Sequence, residues 1–295
     1  MMIPIINKSK FKIDSNNAPY FFIMPIIILF LVFMVYPIIY SLILSFQKFD
    51  NGKYIFAGLE NYRMLFKDDV FIQGLENTFI YLIIQVPIMI LLALILATLL
   101  NNKFIKFKQF FRISFFLPAL IGLVAYSIVF KLFLNTDFGF INYLLKLFHL
   151  PIVDWLNGQY SSKASVIIAI TWRWTGYNMV ILLAALQGIP DDIYEACDID
   201  GANAIQKFLF VTVPLVKPVI LFCTITSTIG TLQLFDEPYI LTGGGPSNAT
   251  ITVAQYLYNT GFRYFNFGYA AAISYVIAII IAILSYIQFK VVGSE

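Results

Sequence analysis

Six apolar runs, separated by polar stretches, set the pattern of this chain. They cover Tyr20–Phe46, Asn77–Leu100, Ile113–Phe130, Ala164–Leu186, Pro218–Phe235 and Tyr264–Phe289. A hydrocarbon core of about 30 Å takes about 20 helical residues to cross, with some tolerance. Five of the runs hold no charge, and the fourth holds Arg173 alone. The runs are continuous rather than alternating, which predicts helices and excludes a barrel. Internal prolines (Pro25, Pro37, Pro87, Pro118) fit, because neighbouring helices in a membrane re-satisfy the freed carbonyls. The pattern therefore predicts an all-α membrane protein with six transmembrane helices. It forms one membrane domain over residues 20–291, behind a tail at 1–19.

Composition agrees. The chain is 60% hydrophobic and 12% charged, where soluble domains carry about a quarter charged residues. Mean hydropathy is +0.83. A net charge of +3 is too small and too scattered to argue for a nucleic-acid partner. Cys197 and Cys223 lack the spacing of a disulfide framework or a zinc site. His149 sits beside Leu150-Pro151 in a loop and carries no role. The first run is too long for the apolar core of a signal peptide and has no small-residue cleavage pattern, so it reads as an anchor.

Orientation follows from Lys and Arg near the helix ends. The tail holds Lys8, Lys10 and Lys12; the second connection holds Lys103, Lys106, Lys108 and Arg112 with no acid. The opposite loop mixes Lys48, Lys53, Arg63 and Lys67 with Asp50, Glu60, Asp68, Asp69 and Glu76. Both termini are expected in the cytoplasm, and the polar stretch at 188–217 with them.

That stretch is the part of the chain least suited to lipid. Asp191, Asp192, Glu195, Asp198 and Asp200 crowd into one short segment. Pro190 ends the preceding helix, Asp192 can cap a new one, and Glu195 stands three residues on as its capping-box partner. Gly201 supplies a position for positive φ, where the helix stops. Asn203 can cap a second short helix with Gln206 at its third position. The prediction is two short helices hinged at a glycine. On its own such a hairpin is either a solvated surface element or a surface for a partner.

Its residues narrow the choice. Glu195-Ala196-Cys197, then Gly201, then Val213-Pro214 resemble the EAA loop of binding-protein-dependent ABC importer permeases, with Cys197 replacing a second alanine. The likeness extends along the chain. Met24-Pro25, Tyr36-Pro37 and Ser45-Phe46 resemble that family's first span. Gly58-Leu59-Glu60-Asn61-Tyr62 and Asn77-Thr78 resemble its first outer loop and second span. Leu241-Thr242 followed by Gly243, Gly244, Gly245 and Pro246 resembles sugar permeases of the maltose and glycerol-phosphate transporter type. The resemblance implies that the segment at 188–217 is a coupling-helix hairpin between helices 4 and 5. Glu195, Ala196, Asp200 and Gly201 would dock on an ATPase subunit. It further implies a second related permease, an ABC ATPase dimer holding ATP and Mg, an extracytoplasmic solute-binding protein and a sugar substrate. Gly243–Pro246 would then dock the binding protein or gate the pathway, where the bare reading of three glycines is a flexible turn.

No cofactor is expected in this chain. A nucleotide loop needs G-x4-G-K-[S/T]; at the only Gly-Lys pair, Gly52-Lys53, Gln47 and Tyr54 stand in the required places. Nor does any metal-spaced or Ser/His/Asp cluster suggest an enzyme. Arg173 must face protein, water or substrate, since a bare cation at mid-depth costs about 3 kcal/mol. It either contacts the solute or pairs with a carboxylate such as Asp236 or Glu237. By resemblance Trp174 and Tyr177 on the fourth span, with Ser227, Thr231 and Gln233 on the fifth, would line the pathway. For each Ser or Thr the plain alternative is back-bonding to its own helix. The leading expectation is the permease subunit of an ABC sugar importer in the cell membrane. The rivals are an ion-coupled secondary transporter, which would carry inverted repeats and midplane carboxylates, and a non-transporting scaffold. The solute stays open between oligosaccharides, monosaccharides and glycerol phosphate.

Overall fold

A computed structural model describes residues 18–102 and 104–293. Lys8, Lys10, Lys12 and Lys103 lie outside the described residues. Among the described residues four helices are long and apolar enough to cross a membrane. They are Ala18–Ser45 (α1), Asp69–Asn101 (α3), Ser161–Leu186 (α7) and Phe267–Gly293 (α13). Of the other two expected spans, the third is bent and the fifth is a shorter helix. The third divides into Lys108–Leu120 (α4) and Leu123–Phe133 (α5), which turn by 100° at Ile121-Gly122. The fifth is Lys217–Leu232 (α10), set at 71° to the preceding helix Ala204–Leu215 (α9). The all-α class holds, with four long helices, one span broken at Ile121-Gly122, and α10, which turns away from α9 just before it begins. The third run is not one rod because Ile121 and Gly122 are both extended, at ψ 136° and 135°.

The connections are shorter elements. Gln47–Asp50 and Lys53–Phe56 pair antiparallel in a small hairpin (β1 and β2) that hydropathy alone did not predict. Its turn is Asn51-Gly52, both at positive φ, the pair that favours a two-residue hairpin. Glu60–Leu65 (α2) follows. Phe140–Leu147 (α6) lies between α5 and α7, and Asp191–Ile199 (α8) precedes α9. Asp236–Leu241 (α11) and Val253–Tyr258 (α12) precede α13.

The core is centred on α3 and α7. Met89, Ala93 and Ala97 on α3 meet Met179, Leu182 and Leu186 on α7, and Cys223 of α10 closes the third side. Small residues permit the close approach that helix association in lipid relies on. Gly176 is the extreme case: a Cβ there would collide with the Phe115 carbonyl of α4, so only glycine lets α4 press against α7. A second cluster ties α2 and α3 to α12 and α13 through Leu65, Phe71, Val253 and Ile273. By contrast α1 is almost wholly exposed and touches the rest mainly through α13, where the Tyr275 hydroxyl donates to the Ile38 carbonyl at 2.6 Å.

Polar side chains fasten the helix ends. Asn61 donates to the carbonyls of Ser45 and Gln47 at 2.8 and 2.9 Å, closing the end of α1. Asn77 does the same for Asn248 and Ile251, at 3.0 and 2.9 Å. Asp68 caps α3, accepting from the amides of Val70 and Phe71. Its other oxygen accepts the hydroxyls of Tyr256 at 2.5 Å and Tyr269 at 2.7 Å, binding α3 to α12 and α13.

Burial raises the Asp68 pKa, but the tyrosine and amide hydrogen bonds outweigh it and hold the carboxyl below its ordinary 3.8. A folded-state pKa below the unfolded one adds stability above the unfolded value and loses it as pH falls through the folded value. The thermal midpoint of the wild-type chain should therefore drop on acidification below about pH 4. In Asp68→Asn, which keeps the cap without the charge, that acid-dependent drop should be smaller. Parallel slopes from pH 6 down to pH 3, roughly the range around the carboxylate pKa, would count against this.

Candidate functional site

A cavity of about 310 Å³ opens between α7 and α10. Trp174 and Tyr177 form its α7 wall, and Ser227, Thr231 and Gln233 lie along or just beyond α10. Five of the six residues expected on a pathway thus share one cavity. Trp174 and Tyr177 sit edge to face at 5.7 Å between ring centroids. Thr231 donates to Gln85 Oε1 at 3.2 Å, linking α10 to α3. Asn178 donates to the Trp174 carbonyl at 3.0 Å and keeps its buried Oδ1 without a partner. Gln85, Asn178 and Glu237 line the cavity without having been singled out for it in the sequence. The signal for Gln85 was there: an amide in the middle of an uncharged apolar run needs a buried partner.

Arg173 does not line this cavity. It is 4% exposed and donates to the Ala119 carbonyl at 3.3 Å, at the broken end of α4. Its guanidinium carbon lies 4.9 Å from the Tyr126 ring centroid and 5.5 Å from that of Trp174, within cation–π range. No carboxylate among the described residues forms a direct ion pair with it. Burial pushes the carboxyl of Glu237, on α11, up to about 7, and the Arg173 charge acts to lower it. Arg173 Nε and Nη1, Glu237 Oε1 and the Tyr126 hydroxyl are all buried without hydrogen-bond partners. Arg173 therefore stands behind the wall, and the acidic groups at the wall are Asp236 and Glu237.

The α8–α9 hairpin joins these two walls directly. Helix α8 begins at Asp191 after Pro190, so Asp192 lies in its first turn instead of capping it. Asp191 and Asp192 there favour the positive helix end. Gly201 takes φ +74°, the conformation expected of the stop. Asn203 and Gln206 form both bonds of a capping box, at 2.9 and 2.8 Å. Lys207 pairs with Asp198 across the hinge. Glu195, Ala196, Asp200 and Gly201 are all exposed, and beside them Ile199 and Ile205 are 87% and 71% exposed.

Gly243–Pro246 is less loose than three glycines suggest. Gly243 and Gly244 take φ +67° and +89°. The Gly244 carbonyl accepts from the Thr250 amide at 3.1 Å, and the Gly245 carbonyl from the Thr250 hydroxyl at 3.0 Å. A Cβ on Gly244 would come within 2.8 Å of Gln255 Nε2, so the loop needs glycine for space as well as for φ. Gly243 remains exposed, whereas Gly244 is buried.

A family model for the inner membrane component of binding-protein-dependent transport systems matches residues 55–292. The chain belongs to this family. Over 288 residues it is 50% identical to a lactose transport system permease of Rhizobium radiobacter, covering 96% of each chain. It is 39% identical over 284 residues to an arabinooligosaccharides transport permease of Bacillus subtilis, covering 95% of this chain and 90% of the other. A solved bacterial ABC transporter for the acidic polysaccharide alginate shares the fold, with a TM-score of 0.84 at 22% identity, over 96% and 97% of the two chains. Membership makes this a membrane transport component, as its residues implied, and sets aside the ion-coupled and scaffold readings.

The buried charges give a test of the wall. Arg173→Met removes the donor to the Ala119 carbonyl and the positive charge that Glu237 senses, so it should lower the thermal midpoint. The double variant Arg173→Met/Glu237→Gln should recover part of that loss, read as the thermal midpoint in detergent. Additive losses would show that the two charges do not sense each other.

Proposed function

We propose that this permease carries a sugar or sugar-like solute into the cytoplasm as one subunit of an ABC importer. In this reading it works beside a second related permease, above two ATPase subunits that hold ATP and Mg. An extracytoplasmic binding protein delivers the solute. Both termini and the α8–α9 hairpin face the cytoplasm, in keeping with the acid-free basic run Lys106, Lys108 and Arg112.

One observation carries the proposal: the two helices that wall the cavity are consecutive, and the exposed hairpin is the whole of their connection. A partner gripping the hairpin through Glu195, Ala196, Asp200 and Gly201 moves α7 and α10 together. ATP can shift the balance of outward and inward states only through its different affinity for them, and the hairpin is where that difference reaches the cavity. Within it Trp174 and Tyr177 offer rings to the C–H face of a sugar, and Ser227, Thr231 and Gln233 offer hydroxyl and amide partners. The lining holds the acidic groups Asp236 and Glu237 and no cation, which favours a neutral, hydroxyl-rich solute over a phosphorylated one. The relatives named for lactose and arabinooligosaccharides support the same class. Gly243–Pro246, on the far side from the hairpin, is the loop assigned to the binding protein.

Glu195→Lys and Gly201→Asp should each lower ATP-driven uptake by about tenfold or more, corresponding to at least about 1.4 kcal/mol of lost coupling. Insertion and expression should be normal, and the ATPase subunits should no longer co-purify at wild-type levels. Wild-type uptake in both variants at normal expression would refute the coupling role.

A further inference from the structure

The segment between α5 and α7 carries a surface that neither the cavity nor the hairpin uses. Helix α6 is eight residues long and amphipathic. Asn142 pins it from beneath: its amide donates to the Thr136 and Val153 carbonyls, and its oxygen accepts the Val153 amide and the Trp155 indole. This leaves Phe140, Tyr143 and Leu147, at helical spacings of three and four, on the outward face. Phe138, Phe140, Tyr143, Leu147, Phe148 and Leu150 are each more than half exposed. Side chains of this size, contiguous on one surface, mark something that covers them.

We infer that α6 and its flanks lie in the bilayer interface, as an in-plane anchor on the leaflet opposite the α8–α9 hairpin. Three observations favour lipid as the occupant. First, the patch is continuous with the membrane-facing surface: Phe133, the last residue of α5, packs on Phe140 with ring centroids 5.9 Å apart. The exposed apolar side chains Ile128, Val129 and Leu132 extend it along α5. Second, Lys146 and His149 are exposed beside the apolar face, as in helices that lie at anionic headgroups. Third, a protein that docks and leaves in each cycle would return six large apolar groups to water every time, whereas lipid is always present. Helix α7 separates this patch from the hairpin by its 26 residues, about 39 Å.

The anchor has a mechanical consequence. The chain turns by 100° between α4 and α5, and α5 packs on α11, which borders the cavity. A patch held at fixed depth keeps α5 in place while α7 and α10 move, giving the cavity one stationary side.

The test uses the full chain in phosphatidylcholine–phosphatidylglycerol vesicles, with Cys197 and Cys223 replaced by serine. Single cysteines at Tyr143 and Leu147 carry an environment-sensitive fluorophore. Lys53 on the β-hairpin serves as the aqueous reference, and Ile83, an exposed residue of α3, as the lipid reference. The labels at 143 and 147 should show blue-shifted emission, lose iodide quenching relative to Lys53, and be quenched more by nitroxides high on the acyl chain than by deep ones. Iodide quenching like that of Lys53 would overturn the proposal. So would shielding from both iodide and nitroxide lipids, which would assign the patch to another protein surface. Using two label sites guards against one of them disturbing α6.

Discussion

Inside a bilayer an unpaired backbone carbonyl or amide has no water to turn to, and that constraint explains most of the buried polar residues in this chain. A straight span satisfies itself. Each place where the backbone leaves the helix needs a side chain instead. Asn61 closes the end of α1, Asn77 holds the loop before α12, and the Thr252 hydroxyl donates to the Leu234 carbonyl just beyond α10 at 2.6 Å. Arg173 serves the broken end of α4 at Ala119. The residues that close these breaks bond to backbone rather than face open space.

The same constraint accounts for what could be read from the residues alone. Long uncharged runs have one stable backbone solution in lipid, so α1, α7 and α13 were legible within a few residues, as was the end of α3, which begins eight residues earlier than expected, at Asp69. The hinge at Gly201 and the capping box at Asn203 and Gln206 were legible because they are local and depend on residues three apart. Two features were not. The division of α4 from α5 depends on Gly176 of α7 and Arg173 of the same helix, both far along the chain, and hydropathy sees an unbroken run. The role of Gln85 depends on Thr231, 146 residues away. The β-hairpin is a different case: Asn51-Gly52 is a sufficient local sign, obscured by the larger helical pattern around it.

Arg173 shows how a strong sequence signal can point to the right region and the wrong surface. A cation at mid-span draws attention because it is expensive. Here it is held away from the cavity lining by the Ala119 carbonyl and two aromatic faces. The cavity in front of it is bordered by acidic groups, so the argument for an anionic solute loses its physical basis. What remains at the wall, aromatic rings, amides and hydroxyls, matches a neutral polyol better than a phosphate.

Coupling by a hairpin works only if the hairpin is stiffer than the surfaces it moves. Here α8 and α9 are stiffened by the capping box, by the Lys207–Asp198 pair, and by the Tyr194 hydroxyl bonded to the Thr212 hydroxyl at 3.1 Å. The 71° turn at Val216 then passes a movement of α9 into α10, and the turn at Gly188–Pro190 passes a movement of α8 into α7. The packing of α3 on α7, with Ala93 and Ala97 at close quarters, makes α7 the heavier of the two walls. Helix α10 has fewer such constraints, and its polar bonds to Gln85 and Gln288 are single and replaceable. In the proposed coupling a force applied at the hairpin therefore moves both walls, and α10, the less constrained, moves farther than α7.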